Sequence, residues 1–350
     1  MTIVADEFDF VIGIDTHART HTYAIINTRT GARTACESFP VTDAGMHRAI
    51  AWIRRNTMHR VLAAVEGTRS YGSSITRMLN GGGIVVVEVK PPRKQARAGV
   101  GKTDEIDATA AALSILGTET ALLLQPRADG IRTGLSLLLT RRRRLDRQRT
   151  ANRNALNALV RQIDLGLDTR HALSDQQIIE ISSWRTRRID TLEQGIARQE
   201  ATELANDIIN ATKSLKQNKR QLSELNKQTA PGIQDQPGLG PVTTGLIVVA
   251  YSHHGRFRSE AAFAALAGTS PLQASSGNTT RHRLNRHGDR QLNKALDTVI
   301  RNRMNYDQKT KEYVERRTSE GMSYREIKRV LKRYLSRSLF RQLEKLFALT

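Results

Sequence analysis

The chain has 350 residues, with 55 lysines and arginines against 34 acids and a formal net charge of +21. That surplus makes a polyanion, nucleic acid first, the natural partner, and it makes binding strongly salt-dependent. The single cysteine, Cys36, excludes an intramolecular disulfide and a thiolate zinc site, and no stretch reaches the roughly 18 apolar residues of a spanning helix. The expected protein is soluble and cytoplasmic, of bacterial nucleoid-associated type, with no membrane partner; its length suggests more than one domain.

The first apolar run, Phe8 to Asp15, reads as a buried strand that stops at a carboxylate. A carboxylate at a sheet edge loses water and stays ionised only beside a cation or several donors. Asp15 is therefore a candidate metal ligand, with capping of the following turn as the alternative. After a polar turn holding His17 and His21, Thr22 to Thr28 and Thr34 to Val41 read as two more strands, and the three form an antiparallel meander. Thr42 or Asp43 caps a helix whose apolar positions Met46, Ile50 and Ile53 recur at helical spacing. Val61 to Val65 is then a short strand ending on Glu66, a second carboxylate at a strand terminus. Tyr71 to Leu79 reads as a helix stopped by Gly81 to Gly83, and Ile84 to Val89 as a fifth strand whose unbroken apolar run predicts burial on both faces. Strand, strand, strand, helix, strand, helix, strand is the succession of ribonuclease H-like folds, in which acids at the ends of the first and fourth strands meet across the sheet.

Lys90 to Lys102 is basic and broken by Pro91 and Pro92, and Thr103 then caps a helix running through Ala108 to Leu113. Asp104 and Asp107 fall three apart on one face of its first turn, near the positive end of the dipole, while Glu105 reads as an ordinary dipole partner. Asp15, Glu66, Asp104 and Asp107 together supply four carboxylates from three elements. That set suits a divalent, oxygen-liganded ion better than it suits helix capping.

From about Arg132 to Asn226 strand signals vanish. Leu138, Leu145, Asn152 and Leu159 fall seven apart, as do Leu204, Ala211, Asn218 and Leu225, with Ile208, Leu215 and Leu222 on the neighbouring seam. These patterns predict coiled-coil-like helices, paired within the chain or between subunits. The run Arg141, Arg142, Arg143 and Arg144 is a candidate phosphate contact. Trp184, among Arg185, Arg187 and Arg188, either stacks on a base or pins the turn.

Pro237-Gly238-Leu239-Gly240-Pro241 opens the apolar run Val242 to Ala250. Gly238 and Gly240 there either expose backbone donors to a phosphate, as in helix-hairpin-helix modules, or form a plain boundary turn. Beyond a helix over Phe257 to Ala267 comes the loop Ala274-Ser275-Ser276-Gly277, followed by Arg281, Arg283, Arg286 and Arg290. A serine loop running into arginines is what a nucleophile aimed at a phosphodiester needs, because the cations stabilise charge on the phosphoryl oxygens; a basic linker has the same composition. Gln291 to Leu349 reads as basic helix with a break at Gly321.

On these residues the chain resembles the transposases of the insertion-sequence-110 class, the DEDD transposases or bridge-RNA-guided recombinases. The resemblance rests on Gly13-Ile14-Asp15, Val65-Glu66-Gly67, Lys102-Thr103-Asp104 through Asp107-Ala108, Pro237 through Pro241, Leu266-Ala267-Gly268 with Pro271, and Ser276-Gly277 with Gly288-Asp289-Arg290. It implies an α/β domain followed by α structure: a RuvC-like, ribonuclease H-like metal domain over residues 1–131, a helical coiled-coil insert over 132–228 and a mostly helical C-terminal transposase domain over 229–350. It further implies that Asp15, Glu66, Asp104 and Asp107 hold Mg2+ or Mn2+, and that Ser276 attacks DNA to give a phosphoserine, with Ser275 beside it as the ambiguity. The implied partners are donor and target DNA, a non-coding guide RNA, and further copies of the chain in a dimer or tetramer that joins the metal domain of one subunit to the serine domain of another. Two rival readings remain open on the residues alone: a RuvC-like nuclease or junction resolvase using metal-activated water, and a non-catalytic nucleic-acid-binding protein.

Overall fold

Five short apolar segments in the first ninety residues become, in the computed structural model, one mixed sheet. The structure describes residues 2–90, 103–168, 170–273, 282–283 and 288–348, and contacts divide it into two units, Met1–Ala128 and Asp129–Thr350.

In the first unit a short helix α1 (Val4–Glu7) precedes the strands β1 (Phe10–Thr16), β2 (Thr20–Asn27) and β3 (Arg33–Pro40), then helix α2 (Asp43–Asn56), strand β4 (Val61–Glu66), helix α3 (Ser73–Gly81), strand β5 (Val85–Val89) and helix α4 (Asp104–Leu113). The strand order is β3-β2-β1-β4-β5, with β1, β2 and β3 antiparallel and β1, β4 and β5 parallel. The meander follows the sequence reading and β4 and β5 form where their apolar runs place them; their parallel pairing is a property of the fold. Thr42 proves to be the cap of α2, its hydroxyl accepting from the Gly45 N–H.

Two differences have physical causes. The β1–β2 turn is tighter than its polar composition suggests, so His21 lies in β2 opposite Thr16 and is buried, and burial holds its imidazole below the usual value. The apolar run of β5 is not covered throughout: Val85 is 52% exposed, because it opens the last strand in the sheet order. Further along β5 the Glu88 N–H is taken by the Leu124 carbonyl, which satisfies part of that outer edge.

Alternation in the strands separates two layers of core. Ile12, Ile14, Ala63 and Val65 pack with Trp52 and Ile53 of α2 and with Ile75 and Leu79 of α3. Val11, Leu62 and Ala64 face the other way, toward Ala111 and Ala112 of α4 and Val4 of α1.

The second unit begins with two long helices, α5 (Ile131–Gln162) and α7 (Leu192–Thr229), with α6 (Asp175–Ser182) between them. They pair within the chain. Asn218 donates to the Leu138 carbonyl, Arg142 to the Leu215 carbonyl and Asn152 to Asp207, so numbers rise on one helix as they fall on the other and the pair is antiparallel. On α7 the predicted seam is the buried one, with Ile208, Ala211, Leu215, Asn218 and Leu222 inside. On α5 the fully buried residues are Leu135, Leu139, Leu156 and Val160, offset from the predicted seven-residue series.

The chain continues through α8 (Pro241–Tyr251), α9 (Glu260–Leu266), a two-residue hairpin of β6 (Leu272–Gln273) and β7 (His282–Arg283), α10 (Arg290–Tyr306), α11 (Gln308–Ser319) and α12 (Tyr324–Phe347). The predicted break at Gly321 separates α11 from α12, with Gly321 at φ +87°. Leu135, Leu139 and Leu222 share one core with Tyr251, Phe263, Leu296, Val299 and Leu339, so the helix pair runs directly into the packing of the later helices.

Trp184 is committed to this scaffold. The Arg198 guanidinium sits 4.7 Å from its ring centroid, and Arg198 Nε donates to Asp190 at 3.1 Å in a pair that is almost wholly buried. The tryptophan therefore pins the turn before α7. The Arg187 backbone N–H, together with Arg198, holds the Asp190 carboxyl below its usual 3.8. Because the folded-state value is depressed, the pair's contribution to stability is complete above the unfolded value and is lost as pH falls through the folded one. Urea unfolding at pH 7 and pH 3 is expected to show a larger acid loss for the wild type than for Asp190→Asn, whose side chain does not titrate.

Candidate metal centre and nucleic-acid interface

Residues two apart in a strand share a face, so Asp15 lies on the face of Val11 and Gly13, and Glu66 on that of Leu62 and Ala64. Both faces look toward α4. β1 and β4 are parallel neighbours in register through Ile14 and Val65, which sets Asp15 and Glu66 side by side at the carboxyl ends of adjacent strands. The next residue locks that arrangement: the Thr16 hydroxyl donates to the Glu66 carbonyl at 2.8 Å. Asp15 is 6% exposed and Glu66 half-buried.

The remaining acids arrive on α4. Thr103 caps it by accepting from the Ile106 N–H, as its position in the sequence predicts. Ala108, Ala111 and Ala112 give the helix a face of small side chains, and Gly13 gives the strand none at all. The fit is close enough that a Cβ on Gly13 would stand 1.8 Å from the Ala108 carbonyl oxygen. The first turn of α4 therefore lies across the end of β1, with Asp107 buried and Asp104 at the exposed mouth. Glu105 points elsewhere, to Arg33 at 3.4 Å, in keeping with a role outside the acid group.

Among the described residues, the group whose ligand atoms all lie within 4.8 Å of one another is Asp15, Asp104 and His17. Glu66 and Asp107 are not in that group, although Glu66 ends the strand beside Asp15. His17 was not picked out by the sequence reading. The signal was available, since alternation past the strand end sets residue i+2 on the same face as Asp15. His17 Nδ1 stands 3.5 Å from Asp15 Oδ2, and its backbone N–H donates to the Thr20 carbonyl in the tight turn. Two carboxylates and an imidazole at one sheet edge, one acid buried, form a donor set that fits a divalent ion completed by water.

Two family models match the chain in order. Residues 12–164 match a DEDD model of the IS110 group described as "Transposase", and residues 231–315 match the model described as "Transposase IS116/IS110/IS902 family". The chain belongs to the insertion-sequence-110 family of transposases. No curated protein matches it. A transposase cuts and rejoins DNA, so DNA is the substrate. No described helix is long and apolar enough to cross a membrane.

The transposase uses its basic run unequally. Arg141, Arg143 and Arg144 are exposed on α5, whereas Arg142 is half-buried and donates to the Leu215 carbonyl of α7; burial lowers its basicity. Three of the four thus face solvent where a phosphate can reach them, and the fourth joins the two helices. Gly238 and Gly240 are engaged in packing and capping. A Cβ on Gly238, which has φ +75°, would lie 2.9 Å from the Val299 carbonyl of α10, and the Gly240 N–H donates to Thr243 in the first turn of α8. Ser275, Ser276, Arg281 and Arg286 lie outside the described residues, as does Lys102; of Arg283 only the backbone is described, paired with Leu272 across the β6–β7 hairpin whose connection carries both serines. Arg290 is exposed at the first position of α10, where Asp289 caps the helix.

Two outcomes follow from this geometry. Gly13→Ala is expected to destabilise the transposase by roughly 1–3 kcal/mol through overpacking, with faster hydrogen exchange confined to α4 and β1 and none gained in α5 or α7. Mn2+ at a hundred times its dissociation constant is expected to stabilise the wild type by about 2.7 kcal/mol. Asp104→Asn, at an exposed position, should keep its apo stability and lose most of that gain, as thermal unfolding with and without Mn2+ will show.

Proposed function

We propose that this transposase exchanges DNA strands through a phosphoserine on Ser276, assisted by Mg2+ or Mn2+ at Asp15, Glu66, Asp104 and Asp107, with a non-coding RNA choosing donor and target sites. The observation that carries the reading is the convergence of Asp15 and Asp104 at one sheet edge in a chain of this family. The strand order β3-β2-β1-β4-β5 supports a ribonuclease H-like, RuvC-like first unit, a fold in which that edge is the site of phosphoryl transfer.

A bound ion would neutralise charge on the scissile phosphate. Asp15, Glu66, Asp104 and Asp107 would hold it at the sheet edge, Asp15 and Asp104 being the two carboxylates with oxygens within 4.8 Å of each other. Ser276 Oγ attacks phosphorus and gives up its proton; the sugar oxygen of the cut strand departs and takes one. Arg281, Arg283, Arg286 and Arg290 offset the charge that builds on the phosphoryl oxygens. In the second step a sugar hydroxyl attacks the phosphoserine, which frees the serine and restores a phosphodiester. The ester keeps the bond energy throughout, so rejoining requires no nucleotide cofactor. In this reading the chain works as a dimer or tetramer, with exposed Arg141, Arg143 and Arg144 among the groups that hold nucleic acid.

The test is a trapped protein–DNA adduct. It is expected with wild type and Ser275→Ala and absent with Ser276→Ala. Adduct-free cleavage by Ser276→Ala would establish attack by water, the resolvase reading, and end the serine mechanism. The same preparation reports on RNA: full recombination by protein stripped of nucleic acid would exclude RNA guidance.

A further inference from the structure

We propose that His17 is a nitrogen ligand of the ion held by Asp15 and Asp104, which gives the site a preference for transition-metal ions such as Mn2+ and Co2+ over Mg2+. The inference rests on the metal reading above and adds to it a residue outside the four-carboxylate set. Ligand atoms bound at roughly 2.1 Å to one octahedral ion stand roughly 3 to 4.2 Å apart. The donor atoms of His17, Asp15 and Asp104 already lie within 4.8 Å of one another, so small side-chain rotations complete the site. The 3.5 Å between His17 Nδ1 and Asp15 Oδ2 is longer than a good hydrogen bond, as two ligands of a common ion would be.

The backbone supports the same assignment. His17 is held in the β1–β2 turn by its own N–H on the Thr20 carbonyl, while its side chain is 51% exposed and able to turn toward the mouth of the site. Among the described residues, Arg33 pairs with Glu105 and Arg69 with Glu88. Chemistry then sets the selectivity. An all-oxygen site suits Mg2+, whereas an imidazole raises affinity along the series from Mn2+ through Co2+ and leaves Mg2+, which bonds nitrogen poorly, little changed.

The experiment uses the full chain loaded with Mn2+ and reads the electron-spin-echo modulation of the bound ion. The wild type is expected to show nitrogen hyperfine coupling that disappears in His17→Gln. Calorimetric titration is expected to show the ratio of Mn2+ to Mg2+ affinity falling on the order of tenfold in that variant. Mn2+ that binds the wild type but not Asp15→Asn, yet carries no nitrogen coupling, would overturn the role of His17 and leave the carboxylate site standing. Mn2+ that binds Asp15→Asn as tightly as wild type would overturn both.

Discussion

The first unit depends on one close approach, that of α4 to Gly13. Everything at the carboxyl edge of the sheet follows from it. A side chain at position 13 would meet the Ala108 carbonyl, so the absence of a Cβ there and the alanine face of the helix are a matched pair. Close packing of this kind has two consequences. It buries Val11, Leu62 and Ala64 under Ala111 and Ala112, which contributes core. It also fixes the height of the first turn of α4 above the strand ends, which decides that Asp104 reaches Asp15 while Asp107 stays buried beside them. Stability and site geometry are thus set by the same contact.

Much of this was legible before the fold was known. Strand ends are readable because apolar runs stop, and both Asp15 and Glu66 stand where such runs stop. Parallel pairing of those strands then brings the acids together without any specific side-chain contact. The Thr103 cap was readable because a threonine three residues before an apolar helical run satisfies an orphan N–H. His17 is less legible, because it stands in a polar turn and shares the face of Asp15 only if the strand alternation continues past the strand end. Its neighbour His21, grouped with it in sequence, was carried into β2 and buried by a turn shorter than its composition suggested.

Repeats in the second unit carry a different kind of information. Heptad spacing identified the buried seam of α7, where the whole length of the helix packs on α5 and then on α8. It could not choose between a partner helix in the same chain and one in another subunit, because the same stripe serves either. The decision is visible only in contacts such as Asn218 to the Leu138 carbonyl of the same chain, between two residues that stand in the seven-residue series whichever partner is used. Arg142 and Trp184 carry a related ambiguity in sequence. Each belongs to a residue type used for nucleic acid, and each is instead spent on packing, the first on a carbonyl of α7 and the second under Arg198.

A protein with net charge +21 must keep its own cations from filling an acidic site if that site is to hold a metal. Two arginines of the first unit have acids of their own. Arg33 is drawn to Glu105, one residue from Asp104 but on another side of the helix, and Arg69 is drawn to Glu88 on β5. The ligand atoms of Asp15, Asp104 and His17 lie within 4.8 Å of one another, and repulsion between carboxylates set so close is relieved most fully by a doubly charged ion. Glu105, which by sequence alone is an ordinary partner of the helix dipole, thereby acquires a second contact, an ion pair with Arg33.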